Sequence, residues 1–371
     1  MKSLFGIINL ITNEKVLKEL TYRRSLASVP IGGRYRIIDF VLSNMVNSGI
    51  RNVGILTNNN CGSLLNHLGN GEEWGLNRKQ GGLYIVPPDS FQDVLNPDKW
   101  SIKNLKKYIN FIKLYANKHI LLSGCNMICN LNYEDVFKYH QEMNADITVI
   151  YKECSESARS FISSCYSLEI RTGGRIVDIK FYPDQPAGNK ISMEMFIITK
   201  SLLLDFIDGI TGEQDNLFID GFNPNNKELR IYGYPYDGYL AQINSVKNYY
   251  HHNMDLLKPR VWRELFQSRA IYTKVKDGAA TKYTGDAFVR NSLIANDCVI
   301  GGRVENSIIF EGVRIGKGAR VTNSIVLEGS VIEDNAVVRD VILDKGVYVT
   351  AGGLLETRNG SPNIIGRRTV I

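Results

Sequence analysis

The side chains that most often carry chemistry are sparse in this sequence and poorly spaced for it. Six cysteines stand at positions 61, 125, 129, 154, 165 and 298. They show neither the paired spacing of a zinc knuckle nor the density of a secreted disulfide scaffold, and read as reduced cytosolic thiols. Among five histidines only His251 and His252 are adjacent. They lie in YYHHNMDLLKPRVWRELFQ, which reads as one helix; neighbouring helical positions point to different faces, so the pair is not expected to clamp a metal, and exposed helix surface is its expected role.

The bulk chemistry narrows the field. A net charge of +6 suits anionic partners such as sugar phosphates or nucleotides. No basic run with interleaved aromatics accompanies it, so nucleic-acid binding is not expected. With 44% hydrophobic and 22% charged residues in 371, the chain has the balance of an ordinary globular protein with two cores. MKSLFGIINLITNEK is apolar but interrupted by Asn9, Asn13 and Glu14, and reads as a buried strand rather than a leader. No run approaches the ~18–20 apolar residues of a membrane span, so no membrane role and a cytoplasmic location are expected.

Two textures position these residues. Through about residue 256, FGIINLI, NVGILT, HILLSG, ADITVIY and MFIIT read as strands of a largely parallel sheet. DFVLSNMVNSG reads as a helix ending at Gly49. NLNYEDVFKYHQEMNA reads as another, opened by Asn130 or Asn132 and closed near Asn144. Such an α/β order places a ligand crevice at the carboxyl ends of the strands. After about residue 280, counting in sixes from Val313 lands on Ala319, Ile325, Val331, Val337, Leu343 and Val349, the signature of a hexapeptide β-helix. A second phase from Ile315 and Val321 breaks at Glu333. No histidine follows His252, which argues against a hexapeptide acyltransferase, since that class generally needs one within or beside the β-helix.

PIGGRYRIIDFVLSNMVNSGIRNVGILTNNN, SLLNHLGNGEEWGL, YHHNMDLL and RVENSIIFEGVRIGKGARVTNSIVLEG together resemble the glucose-1-phosphate adenylyltransferases (ADP-glucose pyrophosphorylases) of bacterial glycogen synthesis. The resemblance covers nearly the whole chain and is greatest to the GlgD-type second subunit. It implies an α/β fold with an N-terminal Rossmann-like nucleotidyltransferase domain at 1–256, a linker at 257–279 and a left-handed parallel β-helix of hexapeptide repeats at 280–371. Active members join ATP and glucose 1-phosphate to give ADP-glucose and pyrophosphate, using a magnesium ion and cations to neutralise charge on the transferring phosphoryl group.

The positions that the resemblance assigns to this chemistry are altered. The glycine-rich loop for the triphosphate carries Ile11, Thr12 and Glu14 at its glycine positions and Val16 at its arginine. A family lysine is Leu26. Two aspartates for magnesium are Cys125 and Gln242, and a thiol and an amide do not replace two hard carboxylates. The lysine of the sugar-phosphate element is Tyr182, between Phe181 and Pro183; Ser192 and Met193 persist as a remnant of the next element, with Glu194 at its glycine. The adenine-side segment reads Lys103–Lys106. No histidine lies near Cys125 in sequence to activate it as a nucleophile.

The resemblance therefore implies a catalytically deficient regulatory subunit with no cofactor of its own, magnesium being expected in a catalytic partner with which it forms a heterotetramer. The alternative is a weakly active nucleotidyltransferase with altered ligands. Effector sites of bacterial members bind sugar phosphates or other anions, and Arg23, Arg24, Arg36 and Arg339 are the candidates here, because guanidinium groups donate paired hydrogen bonds to phosphate.

Overall fold

The apolar alternation of Leu4–Asn9 forms strand β1, every residue of which is buried. A computed structural model describes residues 4–11, 14–57, 61–79, 81–87, 100–115, 117–209, 215–222, 228–357 and 362–371, with only the backbone at 14–16 and 157. Packing divides the chain into two units whose segments interleave. The first comprises 1–13, 40–242 and 269–272; the second comprises 14–39, 243–268 and 273–371.

In the first unit, β1 lies between β2 (Asn52–Leu56) and β4 (His119–Ser123), parallel to both, and β2 continues to β3 (Gly82–Val86). After the short β5 (Met127–Ile128) come β6 (Ile147–Glu153), β7 (Cys165–Ile170), β8 (Ile176–Tyr182), β9 (Lys190–Thr199), β10 (Ile231–Pro235) and the short β11 (Ala241–Gln242). The parallel sheet read from the sequence holds on the β1 side. Beyond it, β9 runs antiparallel to β4, β6 and β7, giving a mixed nine-stranded sheet. The sequence reading omitted β3, β7, β8 and β10; polar residues interrupt the apolar runs of β7 and β8.

Helix α1 (Ile37–Asn47) ends before Gly49, whose φ is +76°. Met45 of this helix packs on β1 where Gly6 offers no side chain; a Cβ there would lie 2.8 Å from its Sδ. The IIDFVLSN motif is scaffold: Asn44 Nδ2 donates to Cys129 O at 3.0 Å and its Oδ1 accepts from Leu131 N, fixing the segment that follows β5. Helix α2 (Tyr133–Glu142) is capped by Asn132, whose side chain accepts from Glu134 N, and the left-handed Asn144 follows it. Helix α3 (Lys200–Asp208) follows β9 directly.

In the second unit a left-handed parallel β-helix stacks three five-stranded sheets, one per face. Its axis is filled by Ile315, Val321, Val326, Ile332, Val338, Leu343 and Val349, all at most 2% exposed. Ile315 pairs with Ile332, Val321 with Val338 and Val326 with Leu343. Equivalent residues are therefore 17 apart, as in the Ser324 N to Ser307 Oγ bond between coils. The strict count of six drifts by a residue per coil, so Ile325, Val331 and Val337 fall outside the axial core, and the phase from Ile315 is the inward one. Its break at Glu333 comes from one shortened corner in each coil.

The segment read as one helix is two, α4 (Val246–Asp255) and α5 (Pro259–Phe266), because Pro259 cannot continue a helix but suits the first turn of a new one. Tyr250 Oη of α4 donates to Asn323 O at 2.6 Å, beside Ile325. Among the described residues no helix is long and apolar enough to cross a membrane.

Candidate functional site: an altered pocket and a basic cavity

Strand β4 ends at Ser123, and the chain turns through Gly124 and Cys125 into β5, which pairs with β11 so that Met127 faces Gln242. Cys125, matched with Gln242 to the magnesium aspartates, thus stands two residues before the β5 residue that faces Gln242. Cys125 is 5% and Gln242 2% exposed. Gln242 Oε1 accepts from Ser163 N at 3.1 Å, which spends an acceptor lone pair on the loop before β7.

Glu194 reaches the same place through β9. Its carbonyl accepts from Gly124 N at 3.2 Å. The β9 register against β6 shifts between Ser192 and Phe196, and within that bulge Glu194 has φ of +54°. A left-handed conformation explains why the family pattern carries glycine here; a glutamate in it costs about 1–2 kcal/mol. The side chain is held inside instead of projecting to solvent: Trp100 Nε1 donates to its Oε2 at 2.8 Å. Trp100 is itself fully buried against Phe196 and Phe218. Ser192 Oγ accepts from Glu194 N, so the remnant serine braces the bulge.

The remaining matched residues are divided between the two units. Tyr182 is half-buried at the end of β8, opposite Cys165, while Phe181 is exposed. Burial, followed by the nearby Glu194 and Cys154, pushes the Cys165 thiol up to about 12, so it stays protonated. Ile11 is buried, with its amide bonded to Asn9 Oδ1 in a tight local turn. Thr12 lies outside the described residues, as do the side chains of Glu14 and Val16. Leu26 is buried in a short helical turn of the second unit. The ligand set of the first unit's pocket is thus a thiol, a carboxamide and one carboxylate already accepting from an indole. Such groups do not fit a magnesium ion, which takes hard oxygen ligands in octahedral geometry. The Trp100 and Glu194 pairing was not legible beforehand, because the indole lies nearly a hundred positions from its partner.

The second unit carries a different site. Arg23 and Arg24 line a cavity of about 250 Å³ with Arg367, Thr369, Glu19 and Asp344. Arg24 is buried and its Nη2 meets both Asp344 oxygens at 2.6 and 2.7 Å. Its Nη1 is buried without a hydrogen-bond partner among the described residues. Arg23 is exposed at the mouth. Burial lowers the pKa of Arg36, as does Arg24, whereas Asp39 and Glu328 raise it, placing Arg36 in the same electrostatic neighbourhood. Arg339 is not among the cavity's lining residues; it is exposed on the second face of the β-helix, paired with Glu356 at 2.8 Å. Arg367 was missed in the sequence, where the only signal was the Arg367–Arg368 pair near the end.

Beside this neighbourhood Glu328 accepts from Lys276 at 2.6 Å and from Lys345 at 2.5 Å, and Lys276 also pairs with Glu311 at 2.7 Å. Burial opposes the charged form of Glu328, but the two lysines overcome it and hold the carboxyl at about 2. A depressed folded-state pKa stabilises above the unfolded value of about 4.5 and loses that contribution as pH falls towards about 2. Acid titration of thermal stability should therefore show a decline over that window, and Glu328→Gln should flatten it; an unchanged acid limb in the variant would refute the assignment.

A mixed α/β sheet with a loop at the carboxyl end of its central strand, followed by a hexapeptide β-helix, defines a protein of the sugar-nucleotidyltransferase class. The nucleotidyl transferase family model matches residues 15–225, and the GlmU-like C-terminal hexapeptide model matches residues 279–355. The glycogen biosynthesis protein GlgD of Bacillus subtilis (strain 168) is 36% identical over 93% of this chain and 90% of its own length. GlgD of Geobacillus stearothermophilus is 36% identical over 85% and 82%. Glucose-1-phosphate adenylyltransferase of Clostridium novyi (strain NT) is 31% identical over 81% and 79%. The chain belongs to the family that comprises these GlgD proteins and the glucose-1-phosphate adenylyltransferases.

Proposed function

We propose that this chain is a non-catalytic subunit of a glucose-1-phosphate adenylyltransferase in glycogen biosynthesis, which assembles with a catalytic homologue in the cytoplasm and alters its rate or its response to effectors. The observation that carries this reading is the pocket at the end of β4. Cys125, in the turn before β5, and Gln242, on the strand paired with β5, stand where carboxylates would be needed, and Glu194 is turned into a buried bond with Trp100. An inward carboxylate without a second one cannot hold the cation that phosphoryl transfer requires.

The basic cavity supports the regulatory half of the reading. Arg23, Arg24 and Arg367 outnumber Glu19 and Asp344 around it, which suits a sugar phosphate or another small anion. A ligand there would change activity only if its affinity differs between two states of the assembly.

The test mixes this chain with a catalytic adenylyltransferase from the same organism. Co-elution on a sizing column and a change of at least ~5-fold in the partner's rate or effector affinity are expected, a factor within ordinary allosteric coupling. Separate elution together with identical rates for partner and mixture would remove the proposal.

A further inference from the structure

Helix α4 brings together three metal-ligating side chains for which the proposed pocket has no use. His251, His252 and Asp255 each offer one ligand atom, and the three atoms lie within 4.8 Å of one another. Adjacent histidines diverge around a helix, the ground on which the sequence reading set them apart. Asp255 adds a third group one turn later, at i+4 from His251 and i+3 from His252. Its Oδ2 lies 3.4 Å from His251 Nε2 and 3.6 Å from His252 Nδ1.

Those spacings exceed the ~2.7–3.2 Å of a good hydrogen bond. They match the edge of a tetrahedron around a zinc-sized ion, about 3.4 Å when ligand bonds are about 2.1 Å. The His252 and Asp255 side chains are each 9% exposed, whereas His251 is 36% exposed and leaves an approach from solvent. Lys258 occupies the other carboxylate oxygen, Oδ1, at 2.6 Å, so Oδ2 keeps its orientation towards the imidazoles. The cluster falls in the last turn of α4, where the helix dipole favours a cation.

We infer that His251, His252 and Asp255 form a site for one divalent first-row transition-metal ion, with zinc the best match and water as the fourth ligand. The ligand set is imidazole and carboxylate, without thiolate, and is distinct from the pocket at Cys125.

The full-length chain, stripped with EDTA, is titrated with zinc chloride by calorimetry and with cobalt(II) by visible spectroscopy. A single site with micromolar or tighter affinity is expected, together with a tetrahedral cobalt spectrum lacking a thiolate charge-transfer band. His251→Ala, at the half-exposed position, should weaken binding at least ~10-fold while far-ultraviolet circular dichroism stays unchanged. His252→Gln provides the second variant and should do the same. Zinc should raise the melting temperature of the parent but not of the variants. Parent-like affinity in both variants, a thiolate band with cobalt, or no binding at 100 μM free metal would each overturn the inference.

Discussion

Incubated alone with ATP, glucose 1-phosphate and magnesium, the purified chain should form ADP-glucose at least ~1,000-fold more slowly than a catalytic adenylyltransferase of its family. Loss of one preorganised electrostatic partner typically costs 10²–10³ in rate, and here more than one is replaced. By the resemblance to the family, Cys125 and Gln242 stand at the positions of two carboxylates, and Tyr182 at that of a cation. The double substitution Cys125→Asp with Gln242→Asp should not recover activity, because the bond from Trp100 to Glu194 and the altered loop from Ile11 to Val16 remain. Chromatographic quantification of ADP-glucose with parallel assay of pyrophosphate provides the measurement. Magnesium-dependent synthesis within ~10-fold of a catalytic relative would sink the reading of the pocket and favour an active enzyme with altered ligands.

The large features of the fold were legible because each rests on a local signal. Asn130 or Asn132 was read as opening α2, and Asn132 caps it; Asn144 marked its close and Gly49 the end of α1, since capping and positive φ are properties of single residues. What failed was the inference of long-range consequence from local spacing. The β-helix advances by 17 residues per coil, and a count of six is correct for two faces and wrong at one corner. Only the pairing of Val326 with Leu343 and its equivalents reveals where the deletion falls.

The pocket was half legible for the same reason. Substituted positions can be read one at a time, and the pairing of β5 with β11 sets Gln242 opposite Met127, two residues after Cys125. The conformation at Glu194 could not be read, since a β-bulge on β9 and an indole from Trp100 are both needed to turn a carboxylate inward. His251 and His252 were read as exposed helix surface, whereas His252 is only 7% exposed; Asp255, one turn later, did not enter that reading.

Removing either member of the buried Arg24 and Asp344 pair should destabilise the protein by about 3–5 kcal/mol, because each deletion strands the other charge away from water. The two side chains are 6% and 1% exposed, and the guanidinium Nη2 spans both carboxylate oxygens. Asp344 also accepts from the Lys345 amide at 2.7 Å, so Asp344→Asn loses more than a countercharge. Arg24→Met combined with Asp344→Asn should therefore cost less than the sum of the single changes, a coupling that chemical denaturation can measure. Arg23→Ala separates structure from recognition. Arg23 is exposed at the same cavity and should change stability by under ~0.5 kcal/mol, yet weaken the binding of a small phosphorylated anion at least ~10-fold. Additive single-variant costs would show that Arg24 and Asp344 do not depend on each other, and unaltered anion affinity in Arg23→Ala would separate the cavity from effector binding.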